Sequence, residues 1–257
     1  FLLSLSNELE EMSKILSKLK PDILLITGDR SEMFIACISA VFLNIPVAHI
    51  QAGDVSGHID GNVRHAITKL SHIHFASCLD SKQRVLKLGE EKHRVFNVGA
   101  PQLDELIKIK KNKLFLKKFL KQEINSPVIL IIQHPILIDS KSAGSEILET
   151  LRAANEIDAI KIVIYPNFDT GSSQIISKIL KFKNNDNFYF YKNLNREIFL
   201  NILANADLLI GNSSCGILEA PSFKIPVINI GNRQRGRMQA SNIINVKADK
   251  TEILKKI

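Results

Sequence analysis

The stretch LLIGNSSCGILEAPSFKIPVINIGNRQRGR, Leu208 to Arg237, contains the unit from which the fold is read. Its apolar run Leu208 to Ile210 ends in a turn of small residues, Gly-Asn-Ser-Ser-Cys-Gly, where a helix begins. A second apolar run, Val227 to Ile230, follows that helix. Short runs rich in Val and Ile that do not alternate with polar residues read as strands buried on both faces. Strand, helix and strand in that order predict a parallel pair joined by a right-handed crossover.

The same alternation extends through the rest of the chain. Strands are expected at Asp22 to Thr27, Pro46 to Ile50, Ile73 to Ser77 and Arg94 to Val98. A second series follows at Val128 to Ile132, Lys161 to Tyr165 and Phe188 to Tyr191, before the two strands already named. Amphipathic helical segments lie between them, among them Leu5 to Leu19, Met33 to Leu43, Gly144 to Asn155 and Arg196 to Ala204. The Lys-rich stretch IKIKKNKLFLKK, Ile107 to Lys118, separates the two series. The fold class is therefore α/β, with two Rossmann-like doubly wound domains at 1–108 and 109–257 and the boundary near Lys108 to Gln122. Two such domains facing a cleft would place a ligand at the carboxyl ends of their strands. The chain opens in a helical pattern and stops in one at Ile257, so both ends read as cut.

Composition narrows the class. With 257 residues and 45% hydrophobic content the chain can build one large core or two modest ones. Its 23% charged residues exclude bulk disorder, and no apolar run is long enough to span a bilayer. The N-terminus FLLSLSNELEEM shows no secretory leader. Cys37, Cys78 and Cys215 are scattered, which fits reduced packing thiols in a cytoplasm. The net charge of +8 suits an anionic substrate. The Lys-rich stretch reads as a solvated helix face or linker, since its aromatics fall at helical spacing and no nucleic acid partner is expected.

Four constellations can carry chemistry. In ITGDR, Ile26 to Arg30, Asp29 ends a strand, where it can face a ligand; on residue type alone, capping the next helix is the simpler reading. In HIQAGDVSGHIDGNVRHAITKLSHIHF, His49 to Phe75, a loop carries Gln51, Asp54, His58 and Asp60 before Arg64 and His65 on a helix. Asp60 and Arg64 stand one helical turn apart and can pair. His72 and His74 could share a strand face, but no third ligand is evident and no metal is expected. In QHPILID, Gln133 to Asp139, His134 follows a strand and can bind a phosphate or act as acid or base. In the Gly211 to Arg237 segment, Ser213, Ser214 and Gly216 open a helix and can form an anion site. Glu219 on the same helix can accept from ribose hydroxyls, and Arg233, Arg235 and Arg237 can clamp phosphates. Neither a Walker A loop nor GxGxxG is present. Each constellation also has a purely structural reading as capped helices, surface ion pairs or a partly buried loop histidine.

Taken in this order, the four segments resemble the UDP-N-acetylglucosamine 2-epimerases. SGHIDGNVRHAITKLSHIHF and GNSSCGILEAPSFKIPVINIGNRQRGR are similar to the hydrolysing branch, which feeds sialic and related nonulosonic acids. The resemblance implies the two-domain GT-B arrangement. It implies acid–base roles for Asp29 and Asp60, an active-site role for Arg64 and a pyrophosphate contact for His134. It implies nucleotide contacts for Ser213, Ser214, Glu219 and Arg233, and a ligand-facing role for Asn167 of YPNFD. The implied reaction removes the C2 proton, expels the nucleotide from C1 to give a glycal, and adds water. The products are the C2-inverted free sugar and a nucleoside diphosphate. No cofactor is needed, and a homodimer or homotetramer is expected. The resemblance also implies that the first strand and the terminal helix of the family lie outside this chain.

One position departs from the pattern. Many family members carry a glutamate where this chain has Gln51. Three readings stay open: Asp54 supplies the carboxylate, the chain belongs to the N,N'-diacetylbacillosamine subgroup on the legionaminic acid route, or activity is reduced. HIQAGD itself looks like that subgroup. Two other functions fit the same architecture, a GT-B glycosyltransferase and a nucleotide-sugar binding module without catalysis.

Overall fold

The computed structural model describes residues 2–55, 60–136 and 141–257. His58 lies outside the described residues, and Asp60 is described as the first residue of a helix without its side chain. The chain divides into two compact units, Phe1–Pro101 and Gln102–Ile257.

The first unit runs α1 (Leu2–Leu19), β1 (Leu24–Thr27), α2 (Ser31–Phe42), β2 (Val47–Ile50), α3 (Asp60–Leu70), β3 (Ile73–Ala76), α4 (Leu79–Lys87) and β4 (Val95–Asn97). Its four strands pair in parallel in the order β1-β2-β3-β4. Ile26, Val47, Cys37, Ala40, Leu16 and Ile67 form the core between this sheet and its helices. The edge strand β1 departs from the two-faced burial expected, because Leu25 is 59% exposed.

The second unit contains α5 (Lys113–Leu120), β5 (Val128–Ile132), α6 (Ala143–Asn155), β6 (Ile160–Ile164), α7 (Ser172–Ile179), β7 (Phe188–Tyr191), α8 (Arg196–Asn205), β8 (Leu208–Gly211), α9 (Ser214–Leu218), β9 (Val227–Ile230), β10 (Ile243–Val246) and α10 (Lys250–Leu254). All six strands are parallel, in the order β10-β9-β8-β5-β6-β7. β5 shows why the run VILII makes a central strand. Val128, Leu130 and Ile132 enter one apolar cluster, while Ile129 and Ile131 enter the opposite one. Each fully buried aliphatic side chain contributes roughly 2 kcal/mol, so a polar residue anywhere in β5 would be costly. The Lys-rich stretch supplies α5, capped by the Asn112 side chain, with Leu116 and Leu120 buried and the lysines outward. Leu106, Leu116 and Leu120 pack into the second unit's core.

The chain winds from β5 outward to β6 and β7, then returns to the other side of β5 at β8. That reversal creates a switch point, where the loops leaving two adjacent strands diverge and leave a crevice at their carboxyl ends. The loops after β5 and β8 therefore occupy the position that open α/β sheets use for ligands.

Candidate active site

Two groups of side chains gather at strand carboxyl ends, one in each unit. In the first unit, Arg64 of α3 is 3% exposed. Its Nε donates to Asp29 Oδ2 at 3.2 Å, and its Nη2 pairs with the same oxygen. Asp29 Oδ1 receives no donor among the described residues. Arg64 Nη1 donates to the Gln51 carbonyl at 3.1 Å and lies 3.4 Å from Asp54 Oδ2. One guanidinium thus ties together the ends of β1, β2 and their loops, which is what its planar fork of donors permits. The helix-cap reading of Asp29 does not hold: Arg30 occupies the N-cap of α2, with no side-chain cap. The described partners of Arg64 are Asp29, Asp54 and Gln51.

Asp54 is buried, and Oδ1 accepts hydrogen bonds from Ser77 and from Ser81, the latter at 2.6 Å. With Arg64 on its other oxygen, its lone pairs are committed to holding the loop. Arg84 of α4 donates to the Gly53 carbonyl at 2.6 Å, so a second arginine fixes the same loop. Gln51 adopts the left-handed region at φ 61°. Its side chain lies beside the turn at Gly28, where an added Cβ would stand 3.7 Å from Oε1.

His49 completes this group. It is fully buried, with Nε2 2.8 Å from the Gly28 carbonyl and Nδ1 3.3 Å from Thr68 Oγ1. Burial pushes its pKa down to about 4. A neutral ring that donates from Nε2 satisfies the Gly28 carbonyl, while the Thr68 hydroxyl beside Nδ1 donates to the Arg64 carbonyl at 2.9 Å. His49 therefore braces the turn that presents Asp29. The sequence signal was a histidine inside an apolar strand, and only the neighbouring carbonyl gives it a purpose.

His74 of β3 and His72 just before it have other partners. His74 Nε2 lies 3.2 Å from Glu90 Oε2, which also meets Lys69 through Oε1 at 2.5 Å. His72 Nδ1 accepts from the Val47 amide at 3.2 Å. No group of three metal-ligating side chains gathers among the described residues.

In the second unit, Asn212 organises the switch point. Its amide oxygen accepts from the His134 N–H at 2.7 Å and its Nδ2 donates to the His134 carbonyl at 2.8 Å. Its own carbonyl accepts from Arg233 Nη1 at 3.3 Å and Gln234 Nε2 at 2.8 Å. Three loops, after β5, β8 and β9, are thereby fixed around one residue that is 1% exposed. Gly211 makes the approach possible. Its φ is 142°, and a Cβ there would lie 1.9 Å from the Ile132 carbonyl oxygen.

His134 is half-buried, and its Nδ1 accepts from the Asn167 amide at 3.1 Å. The proton of the neutral ring must then sit on Nε2, which becomes a donor. Burial, with Arg233 beside it, pushes the pKa down to about 3. An imidazole held neutral in this way offers a hydrogen bond to an anion and has no proton to give up near neutrality. The Asn167 side chain donates to Asp169, while its own buried Oδ1 has no partner among the described residues. A buried amide oxygen left unpaired is an acceptor awaiting a donor.

Ser213 caps α9, accepting from the Cys215 amide at 3.4 Å. That bond uses one backbone donor the sequence assigned to an anion, and α9 is short, so Arg233 supplies the positive charge there and His134 a neutral N–H donor. Gly216 lets α9 pack on the sheet: a Cβ would meet Val227 Cγ1 at 3.0 Å. Glu219 is buried and pairs with Arg196 Nη2 at 2.5 Å. Arg235 is exposed, and Arg237 is half-buried. Cys37 and Cys215 are buried free thiols. Burial pushes Cys215 up to about 12, which makes it an inert packing residue. Asn212, Arg196, Ser77, Ser81 and Arg84 belong to no recognisable catalytic spacing, so nothing in the sequence marks them.

No helix among the described residues is long and apolar enough to cross a membrane. A family model described as UDP-N-acetylglucosamine 2-epimerase matches residues 3–257. The chain is 38% identical over 245 residues to UDP-N,N'-diacetylbacillosamine 2-epimerase (hydrolyzing) of Legionella pneumophila, covering 95% of this chain and 65% of that protein. It is 36% identical over 248 residues to GDP/UDP-N,N'-diacetylbacillosamine 2-epimerase (hydrolyzing) of Campylobacter jejuni, covering 94% of this chain and 64% of that one. The chain thus spans just under two thirds of the length of these relatives. The crystal structure of UDP-GlcNAc 2-epimerase from Neisseria meningitidis bound to UDP-GlcNAc superposes with a TM-score of 0.82 at 22% identity. That match covers 98% of this chain and 71% of the other, and shows a shared fold.

Proposed function

Because the chain belongs to the UDP-N-acetylglucosamine 2-epimerase family, we propose that it is the greater part of a hydrolysing nucleotide-sugar 2-epimerase. The observation that carries this reading is Arg64 fixing one oxygen of Asp29 while the other receives no donor among the described residues. A binding module has no use for an aimed carboxylate, and a glycosyltransferase does not need the pair of Asp29 and Asp60.

The proposed reaction assigns the two groups separate work. Asp29, with Oδ1 as the reacting oxygen, and Asp60 exchange protons at C2 of the sugar. The C2 proton leaves to a carboxylate, the C1–oxygen bond breaks, and the nucleoside diphosphate departs with the bonding pair. Water then adds across the glycal, its hydroxyl to C1 and a proton to the opposite face of C2. Positioned proton transfer supplies about 10²–10⁴ in rate, so stabilisation of the leaving diphosphate must supply much of the rest. His134 Nε2–H and Arg233 are assigned that task. Ser213, Ser214, Glu219 and Asn167 are assigned to the rest of the nucleotide sugar, and Asp54 to holding Arg64 and the loop.

The favoured sugar is N,N'-diacetylbacillosamine, carried on UDP or GDP. Gln51 supports it, together with similarity to the two bacterial enzymes named for that substrate. This would place the product on a legionaminic acid route in the cytoplasm, and a dimer or tetramer is the assembly to expect. Asp54 is the weaker candidate for a replacement carboxylate, since both its oxygens are engaged.

Incubation with UDP-N-acetylglucosamine and with UDP- and GDP-diacetylbacillosamine in deuterated water tests the reading. The expected product is a free manno-configured sugar with deuterium at C2. Nucleotide release without exchange at C2 would sink it.

A further inference from the structure

Glu219 closes α9, and its side chain is almost fully buried. A carboxylate taken out of water is costly unless a cation or several donors meet it. Here the cation is Arg196, the first residue of α8, whose Nη2 stands 2.5 Å from Glu219 Oε1. The same guanidinium donates from Nε to Glu105 Oε2 at 3.0 Å and from Nη2 to the Gln102 carbonyl at 3.1 Å. Arg196 is therefore anchored from two further points while it faces Glu219. No other cation among the described residues pairs with Glu219. Cys215, in the same helix, is a neutral neighbour.

We propose that Arg196 is a positioning residue of the nucleotide site, holding Glu219 ionised and aimed so that it can accept both hydroxyls of a ribose. This rests on Glu219 being a nucleotide contact. An ionised carboxylate accepts at both oxygens, whereas a protonated one turns one of them into a donor and loses its match to a vicinal diol. Burial keeps the Glu219 pKa above its ordinary value; Arg196 opposes that push and limits it, while Glu105 adds to it. Arg196 is the group that opposes protonation among the described residues. The ligand class that follows is a ribonucleoside diphosphate, selected over its 2'-deoxy counterpart.

Calorimetric titration with UDP and with 2'-deoxy-UDP between about pH 6 and pH 8.5 tests this, compared at each pH with the unmodified protein so that titration of the diphosphate cancels. Arg196→Met is expected to weaken UDP roughly tenfold near pH 6, with recovery as pH rises, while 2'-deoxy-UDP changes by less than about threefold. Arg196→Lys should retain the original pH curve, and adding Arg196→Met to Glu219→Gln should cost nothing further. Equal loss for both ligands at every pH overturns the inference and leaves Glu219 as a nucleotide contact. An unchanged UDP affinity in Glu219→Gln overturns the nucleotide assignment of Glu219 and the inference with it. If Arg196→Met does not fold, Arg196→Gln against Arg196→Lys reads the same shift.

Discussion

Arg64 gives both Nε and Nη2 to a single oxygen of Asp29, although the two residues are 35 positions apart. The pairing fixes the end of β1 to α3, and Arg64 also holds the Gln51 carbonyl and faces Asp54. Replacing it strands two carboxylates in a little-hydrated site. Arg64→Met is expected to destabilise the protein by about 3 kcal/mol, the scale for removing one partner of a buried pair. Arg64→Lys should recover only part, because an ammonium cannot reach all three acceptors in one plane. Urea unfolding measures both; a loss near zero for Arg64→Met would mean that the loop is held by other contacts.

Asp60 begins α3, the helix that carries Arg64. If it exchanges protons at C2, Asp60→Asn keeps the nucleotide contacts and removes the exchangeable proton. Turnover should fall roughly 10²–10⁴-fold while UDP affinity stays within about threefold. Paired measurements of turnover and UDP binding decide it, and undiminished turnover removes Asp60 from the mechanism.

His49 gives a pH signature for folding. Its pKa in the folded protein lies down at about 4 because the ring is buried, against an ordinary value near 6.5. The unfolded chain therefore binds the proton more readily, and folding stability falls as pH drops from about 6.5 towards 4. The contribution is fully present above pH 6.5, and its loss amounts to about 3 kcal/mol by pH 4. His49→Gln keeps a donor for the Gly28 carbonyl without the titration. Its urea midpoint should fall less over that window; parallel pH curves for the two proteins would count against the assignment.

Gly211 leaves no room for a side chain at the end of β8. Gly211→Ala would push a methyl group onto the Ile132 carbonyl oxygen at a backbone angle suited to glycine. Shifting that strand end moves Asn212 and with it His134 and Arg233. The variant should lose at least about 2 kcal/mol of stability, and the folded fraction should bind UDP poorly. Thermal unfolding combined with UDP titration checks it, and a fully stable variant with unchanged binding would show that the loop can move aside.

The strands expected from the sequence recur in the structure because a central parallel strand must be apolar on both faces. Val128 to Ile132, Phe188 to Tyr191 and Val227 to Ile230 keep their expected limits. The strand Ile243–Val246 is absent from the expected series because it sits at a sheet edge with Ile244 and Asn245 exposed. Its run is short and partly polar, so no local pattern separates it from loop. Asp29 was open to misreading for a related reason: an aspartate after a glycine before a helix has the composition of a cap, and its true partner lies on another element.

The alternation of parallel strands and helices, the loops that carry ionisable groups and the resemblance of those loops to one family are all legible in the amino-acid order. These depend on residue type and spacing within a few turns, and such short-range constraints are written directly in the chain. Folding in three dimensions sets the rest: Arg64 serves Asp29 and Asp54, Asn212 gathers three loops, His134 is a neutral donor, and Glu219 leans on Arg196. Each is a contact between distant segments in a low-dielectric place, where the partner that reaches a buried polar group fixes its charge and direction. That choice is made by packing.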